Sequence, residues 1–228
     1  MIAVIPARGG SKRILRKNIK PFLGIPIILR TINQLAESQL FSRLIVSTED
    51  PEIANISKKA GAEILIRDPR LADDFATTQE VIKNSILQIG NTIEIESELV
   101  CCIYPVTPLL NTKYISKARE LLIVDELDFV FTAKLFETSP ARAIFRGKDD
   151  MSGMIFPENL NTRTQDLPEQ YHDAAMFYLG HARSWLEDIP VLYGKSKFIV
   201  IDKYESVDVD VESDWKFAEE LYRIRNQQ

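Results

Sequence analysis

Apolar and polar positions along this chain fall into blocks whose period switches back and forth. Ile2–Ala7 is a short apolar run that stops at Arg8, Gly9 and Gly10, the pattern of a buried strand opening into a glycine loop. From Pro26 to Ser38 the apolar residues Ile27, Ile28, Ile32, Leu35 and Ala36 share one side of a helix, and Pro26 suits its first turn. Leu44–Thr48 reads as the next strand and Pro51–Ala60 as a helix stopped by Gly61. Ala62–Ile66 is a third strand, Gln79–Ile89 a third helix stopped by Gly90, and Leu99–Tyr104 a fourth strand. Ile115–Val124 reads as helix and Phe129–Ala133 as strand. Between Phe136 and His172 the pattern blurs into polar residues with scattered Pro and Gly, so 136–172 is expected to be an arm inserted in the fold. Alternation resumes with Ala174–Leu179 and Lys197–Ile201 and ends on a helix, Ser213–Arg225. Strands alternating with helices of about ten residues predict βαβ units. The expectation is one α/β domain over 1–228, three layers deep, with a mostly parallel sheet.

Composition narrows the choice of partners. The 228 residues are 45% hydrophobic and 27% charged, enough for a full core. With 28 basic and 33 acidic residues the net charge is -5, so no bulk field attracts nucleic acid or an anionic membrane. Any anionic substrate must be met by a local basic cluster. The two cysteines, Cys101 and Cys102, are adjacent. Neighbours on a strand point to opposite faces, which argues against a disulfide or a thiolate zinc site. No apolar run reaches the roughly 18 residues of a membrane span, and the first residues read as strand rather than signal peptide. A cytoplasmic protein is expected.

The local basic cluster is found at once. Residues 6–18 read PARGGSKRILRKN, placing Arg8, Lys12, Arg13, Arg16 and Lys17 directly after the first strand. In an α/β sheet that is where the ligand crevice opens. Gly9 and Gly10 allow backbone amides to approach a phosphate, and Ser11 adds a hydroxyl. A polyphosphate is the fitting ligand; a solvated basic loop is the alternative. The spacing is neither GxxxxGK[ST] nor GxGxxG, which disfavours P-loop hydrolysis and nicotinamide chemistry. A second cluster lies at residues 206–214, SVDVDVESD. On an extended segment Asp208 and Asp210 share one face and the intervening valines the other. Two hard oxygen ligands with phosphate oxygens suit Mg²⁺. The alternative is a capping region for the last helix, to which Asp214 belongs more readily than to a metal.

The string PARGGSKRxxxKN after an N-terminal strand resembles the CMP-sialate and CMP-KDO synthetases, and most of all the acylneuraminate cytidylyltransferase family. The resemblance covers most of the chain. It implies a Rossmann-like nucleotide-diphospho-sugar transferase fold with a dimerisation arm. It also implies that the loop from Ala7 through Gly9, Gly10, Ser11 and Lys12 to Asn18 wraps the triphosphate of CTP. Arg8 and Lys17 would stabilise charge as pyrophosphate leaves. The segment from Ile45 to Thr78, with LADDFATT at its end, matches a family region that puts Arg67, Asp74, Thr77 and Thr78 near the nucleotide; Asp73, Asp74, Thr77 and Thr78 also make a reasonable helix cap. YPVTPLL at 104–110 stands where the family has a QPTSPLR-like motif. Thr107 matches, but Tyr104 replaces Gln and Leu110 replaces Arg on the acceptor side. NTRTQDL followed by YHDA is similar to the members that act on pseudaminic acid, and points to Gln165, Tyr171, His172 and Asp173 as acceptor contacts. The family's D-[IV]-D falls on Asp208 and Asp210, implying Mg²⁺ there with Asp208 catalytic. A homodimer is implied, with Arg142 and Arg163 of the arm meeting the substrate carboxylate. The implied reaction transfers CMP from CTP to a nonulosonic acid, pseudaminic acid before N-acetylneuraminate, legionaminate or KDO. A nucleotide-binding regulatory protein without activity is the reading from another class.

Overall fold

The computed structural model describes residues 1–90 and 95–226. Seven strands form one sheet in the order β11-β7-β10-β6-β1-β4-β5. They are β1 (Ile2–Pro6), β4 (Arg43–Thr48), β5 (Glu63–Ile66), β6 (Leu99–Ile103), β7 (Phe129–Leu135), β10 (Tyr171–His181) and β11 (Ser196–Val200). Two short hairpins stand apart: β2 (Pro21–Phe22) with β3 (Ile25–Pro26), and β8 (Ile144–Arg146) with β9 (Ser152–Met154). The main helices are α1 (Ile27–Ser38), α2 (Pro51–Lys59), α3 (Thr78–Ile89), α4 (Lys113–Val124), α5 (Ala182–Leu186) and α6 (Glu212–Asn226).

The continuous apolar run of β1 is explained by its central place. It pairs in parallel with β4 on one side and β6 on the other, and Ile2 through Ile5 are all buried. Its alternate residues feed two core layers. Ala3 and Ile5, with Cys101 and Ile103 of β6, pack against Ile28 and Ile32 of α1 and Leu122 of α4. Ile2 and Val4, with Cys102, pack against Ile82 and Ile86 of α3 and Trp185 of α5. The cysteines therefore lie on opposite faces, both free and buried.

β10 departs from the parallel pattern, running antiparallel between β6 and β7. Its register against β7 shifts between Asp173 and Tyr178, and Ala175 within the shift has φ 49°. The expected arm is an excursion between Leu135 and Tyr171, built on the β8–β9 hairpin and short single turns. Ile144, Phe145, Met151, Ile155 and Leu160 are exposed along it. A third apolar cluster joins distant segments: Ile14 of the basic loop, Phe22, Ile27, Val209, Trp215 and Ala218. Among the described residues no helix is long and apolar enough to cross a membrane.

Candidate active site

A cleft of roughly 490 Å³ opens beyond the carboxyl ends of β1 and β6. Its basic wall is the loop after β1. Ile14, buried against Val209 and Trp215, ties this loop to the segment carrying Asp208 and Asp210. The loop's shape comes from behind. Asp50 caps α2, accepting from the amides of Glu52 and Ile53 at 2.9 Å each. The same carboxylate holds the Arg16 guanidinium at 2.5 and 3.1 Å. Arg16 sits in the left-handed region, φ 55°, and turns the chain toward Lys17. Gly9 packs so closely that a Cβ there would lie 2.5 Å from Asp50 Oδ2. Arg16, counted above among the polyphosphate cations, is thus a structural clasp, paired with Glu52 as well at 2.6 Å.

The remaining cations of the loop line the cleft, each with a carboxylate partner. Arg8 pairs with Asp74 Oδ1 at 2.8 Å and donates to the Asp73 carbonyl at 2.7 Å. Lys12 pairs with the other Asp74 oxygen. Arg13 meets both oxygens of Asp210, at 2.8 and 2.9 Å. Lys17 donates to the Val209 carbonyl at 2.7 Å and lies 3.9 Å from Asp210. Burial pulls the Lys17 ammonium below its usual range, partly offset by Asp210 and Asp208. Asn18 closes the loop by donating to the Arg8 carbonyl at 2.8 Å. The Gly9 amide, expected to serve a phosphate, donates here to Glu49 Oε1 at 2.7 Å. Gly10 faces open space, Ser11 lines the cleft, and Ala7 is buried in the core.

The acidic wall is Asp173, Asp208 and Asp210. Asp208 is reachable from the cleft, yet surrounding atoms displace enough water to push its carboxyl up, with the charges of Asp210 and Asp173 adding to the effect. Lys17 and Lys134 oppose that rise. Val209 between the two aspartates is 2% exposed, so the expected division of faces holds there; Val211, on the same expectation, is exposed. Asp214 Oδ2 accepts from the amides of Asp210 and Val211 at 2.9 Å, starting α6 and fixing Asp210. Among the described residues no three His, Cys, Asp or Glu side chains converge into a metal cage. The two aspartates are hard oxygen donors of the kind that would hold a divalent cation together with phosphate and water.

On the remaining walls, Arg67 is buried and lines the cleft while donating to the Ser47 carbonyl at 2.7 Å. Thr77 caps α3 in a reciprocal box with Glu80 and does not line the cleft. Thr78, one residue on, does line it and pairs with the Tyr104 hydroxyl at 2.8 Å. Thr107 is buried outside the cleft, donating to the Tyr104 carbonyl at 2.9 Å. Tyr171 and His172 stand off the cleft as well: the Tyr171 ring lies 5.2 Å from Phe198, and the His172 ring 4.9 Å from Phe136. Arg142, Arg163 and Gln165 lie on the excursion and do not line this chain's cleft. Two lining residues, Ala175 and Tyr178, went unmarked in the sequence reading. The run AAMFYLG reads as a plain apolar strand and carries no sign of the register shift.

Cations and carboxylates facing one another across a cleft, at the carboxyl end of a mostly parallel sheet, suit a nucleotidyltransferase, and the family match gives that class. The chain belongs to the cytidylyltransferase family, whose description "Cytidylyltransferase" is matched by residues 2–140. The pseudaminic acid cytidylyltransferase of Campylobacter jejuni is 37% identical over 99% of this chain and 97% of its own length. The N-acylneuraminate cytidylyltransferase A of Danio rerio is 30% identical over 96% of this chain and 50% of its own. A solved CMP:2-keto-3-deoxy-manno-octonic acid synthetase in complex with CTP superposes with a TM-score of 0.70 at 14% identity, covering 98% of each chain, and so shares the fold.

Proposed function

We propose that this enzyme transfers CMP from CTP to pseudaminic acid, releasing pyrophosphate. One observation carries the reading: a single cleft sets Arg8, Lys12, Arg13 and Lys17 opposite Asp173, Asp208 and Asp210, in a chain 37% identical to a pseudaminic acid cytidylyltransferase over almost its full length. The anomeric hydroxyl of the acceptor attacks the α-phosphorus, a new O–P bond forms, and the bond to pyrophosphate breaks. Arg8 and Lys17 hold the phosphate oxygens on which charge builds as pyrophosphate departs. Asp208 and Asp210 are the residues that would hold Mg²⁺, whose chemistry is to neutralise phosphate charge and favour ionisation of the attacking hydroxyl. Arg67 and Thr78 border the nucleotide; Tyr104 and Asp173 border the acceptor. CTP is a cytoplasmic substrate, which assigns the reaction to the cytoplasm.

A homodimer is part of the proposal. The excursion exposes Ile144, Phe145, Met151, Ile155 and Leu160, an apolar surface of the kind that marks a protein contact. It also carries Arg142 and Arg163 away from its own cleft, where a partner's acceptor carboxylate could receive them. The reading is tested by incubating the protein with CTP, Mg²⁺ and equal concentrations of pseudaminic and N-acetylneuraminic acids, with mass analysis of the products. CMP-pseudaminate should dominate, and removal of Mg²⁺ by chelation should abolish it. Equal yields overturn the acceptor assignment, and absence of any CMP-sugar favours the non-catalytic alternative.

A further inference from the structure

β10 breaks the rule of alternation. In an uninterrupted strand, residues five apart point to opposite faces. Ala174 and Met176 lie in the same core layer as Phe177 and Leu179, which strict alternation forbids. The shift of register between Asp173 and Tyr178 supplies the change of phase, and Ala175, φ 49°, absorbs it. The result brings Asp173 and Tyr178 to one face, both lining the cleft. The Tyr178 hydroxyl donates to Asp173 Oδ2, and the Ala175 amide donates to Oδ1 at 2.9 Å. Both carboxylate oxygens are therefore held from within the same bulge.

Tyr178 is itself held by a neighbour. The rings of Tyr178 and Tyr104 pack edge to face at 5.8 Å. The Tyr104 hydroxyl in turn pairs with Thr78 Oγ1 at 2.8 Å. A hydroxyl has one hydrogen and a carboxylate only accepts, so the Tyr178 hydrogen is committed to Asp173. Burial pushes the Tyr104 hydroxyl beside it up to about 12, so that neighbour stays protonated and uncharged across the neutral range. The carboxylate so held offers only lone pairs to the cleft. It repels a ligand carboxylate or phosphate and accepts from a neutral N–H or O–H.

We propose that Tyr178 is a positioning residue, fixing Asp173 as the acceptor-only group that receives an amide N–H or hydroxyl of the acceptor sugar and so discriminates among nonulosonic acids. The inference rests on the cytidylyltransferase reading above. Tyr178 touches this interaction only through Asp173, and that dependence can be measured. Tyr178→Phe deletes one hydroxyl, Asp173→Asn turns an amide donor toward the cleft, and the third variant combines them. Wild-type CMP-sugar formation is measured first, and its absence counts against the cytidylyltransferase reading alone, because each variant is scored for pseudaminic acid binding by calorimetry as well as by rate. Tyr178→Phe should raise the KM for the acceptor about tenfold, the scale of one charge-assisted hydrogen bond, with no shift in the KM for CTP. The double variant should match Asp173→Asn alone, because the effects share one route. Thermal unfolding of each variant checks the fold. Should Tyr178→Phe not fold, Asp173→Asn still reads out the claim, through loss of preference between the acceptor and its de-N-acylated analogue. Additive losses, an equal rise in the KM for CTP, or unchanged preference in Asp173→Asn overturns the proposal.

Discussion

Asp50 shows how much one side chain can organise. It caps α2, clasps Arg16 and leaves room for nothing larger than glycine at position 9. Burial pushes its carboxyl up, but the Arg16 guanidinium and the amides of Ile53 and Glu52 outweigh that and leave it below the usual 3.8. A carboxylate with a depressed folded value adds stability that is complete above its unfolded value and fades as pH falls through the folded one. Asp50→Asn keeps a good cap and removes only the charge. The variant should lose about 0.5–1 kcal/mol at neutral pH, the modest scale of a partly exposed ion pair. Urea titrations repeated below pH 3.8 should bring the two proteins together; a constant gap would mean the charge is not the cause. The cap is a local contact, with Asp50 directly before Pro51 at the start of α2. Nothing local marks its hold on Arg16, because that contact spans 34 positions.

At the level of elements, the alternation of periods located the strands of the central sheet and the longer helices but not the five-residue α5, because β1, β4 and β6 are buried on both faces and α1 on one. The basic loop was legible for the same reason: five cations in a net-acidic chain have no core role. The division of labour inside the loop was not legible. Arg16 and Gly9 serve the scaffold while Arg8, Arg13 and Lys17 face the cleft, and only the tertiary fold separates them. The bulge in β10 was hidden because an extra residue in an apolar run changes nothing in composition. Thr77 and Thr78 illustrate the limit of adjacency: the first caps α3, the second enters the cleft. Thr77→Ala should therefore cost about 1 kcal/mol of stability, the usual loss for a cap, while leaving the KM for CTP in place. Guanidinium unfolding and CTP titration together decide it; a weakened CTP response at unchanged stability would return Thr77 to the nucleotide site.

For the whole molecule, the excursion between β7 and β10 decides whether one chain suffices. Its arginines lie off the local cleft and its apolar residues lie on the surface. If the acceptor carboxylate is met by a partner's Arg163, two inactive proteins can rescue each other. Lys17→Ala and Arg163→Ala, each inactive alone, should regain activity when mixed, since a hybrid dimer contains one intact site. Sedimentation should give a dimer at micromolar concentration. A fully active monomer would contradict the arrangement. 

The pairing of Arg8 and Lys12 with Asp74, and of Arg13 with Asp210, has a consequence for what the cleft will admit. Without ligand, the site is an ion exchanger already in its internal salt form. A lone phosphate can loosen one such pair but gains little by it, because the displaced carboxylate loses its own counter-charge. On the proposed reading, a nucleoside triphosphate arriving with a divalent cation would satisfy both sides together: the arginines would meet phosphates, and Asp210 would hold the cation. On that reading the cleft would set a threshold of charge rather than a simple attraction, in a chain whose net charge is -5.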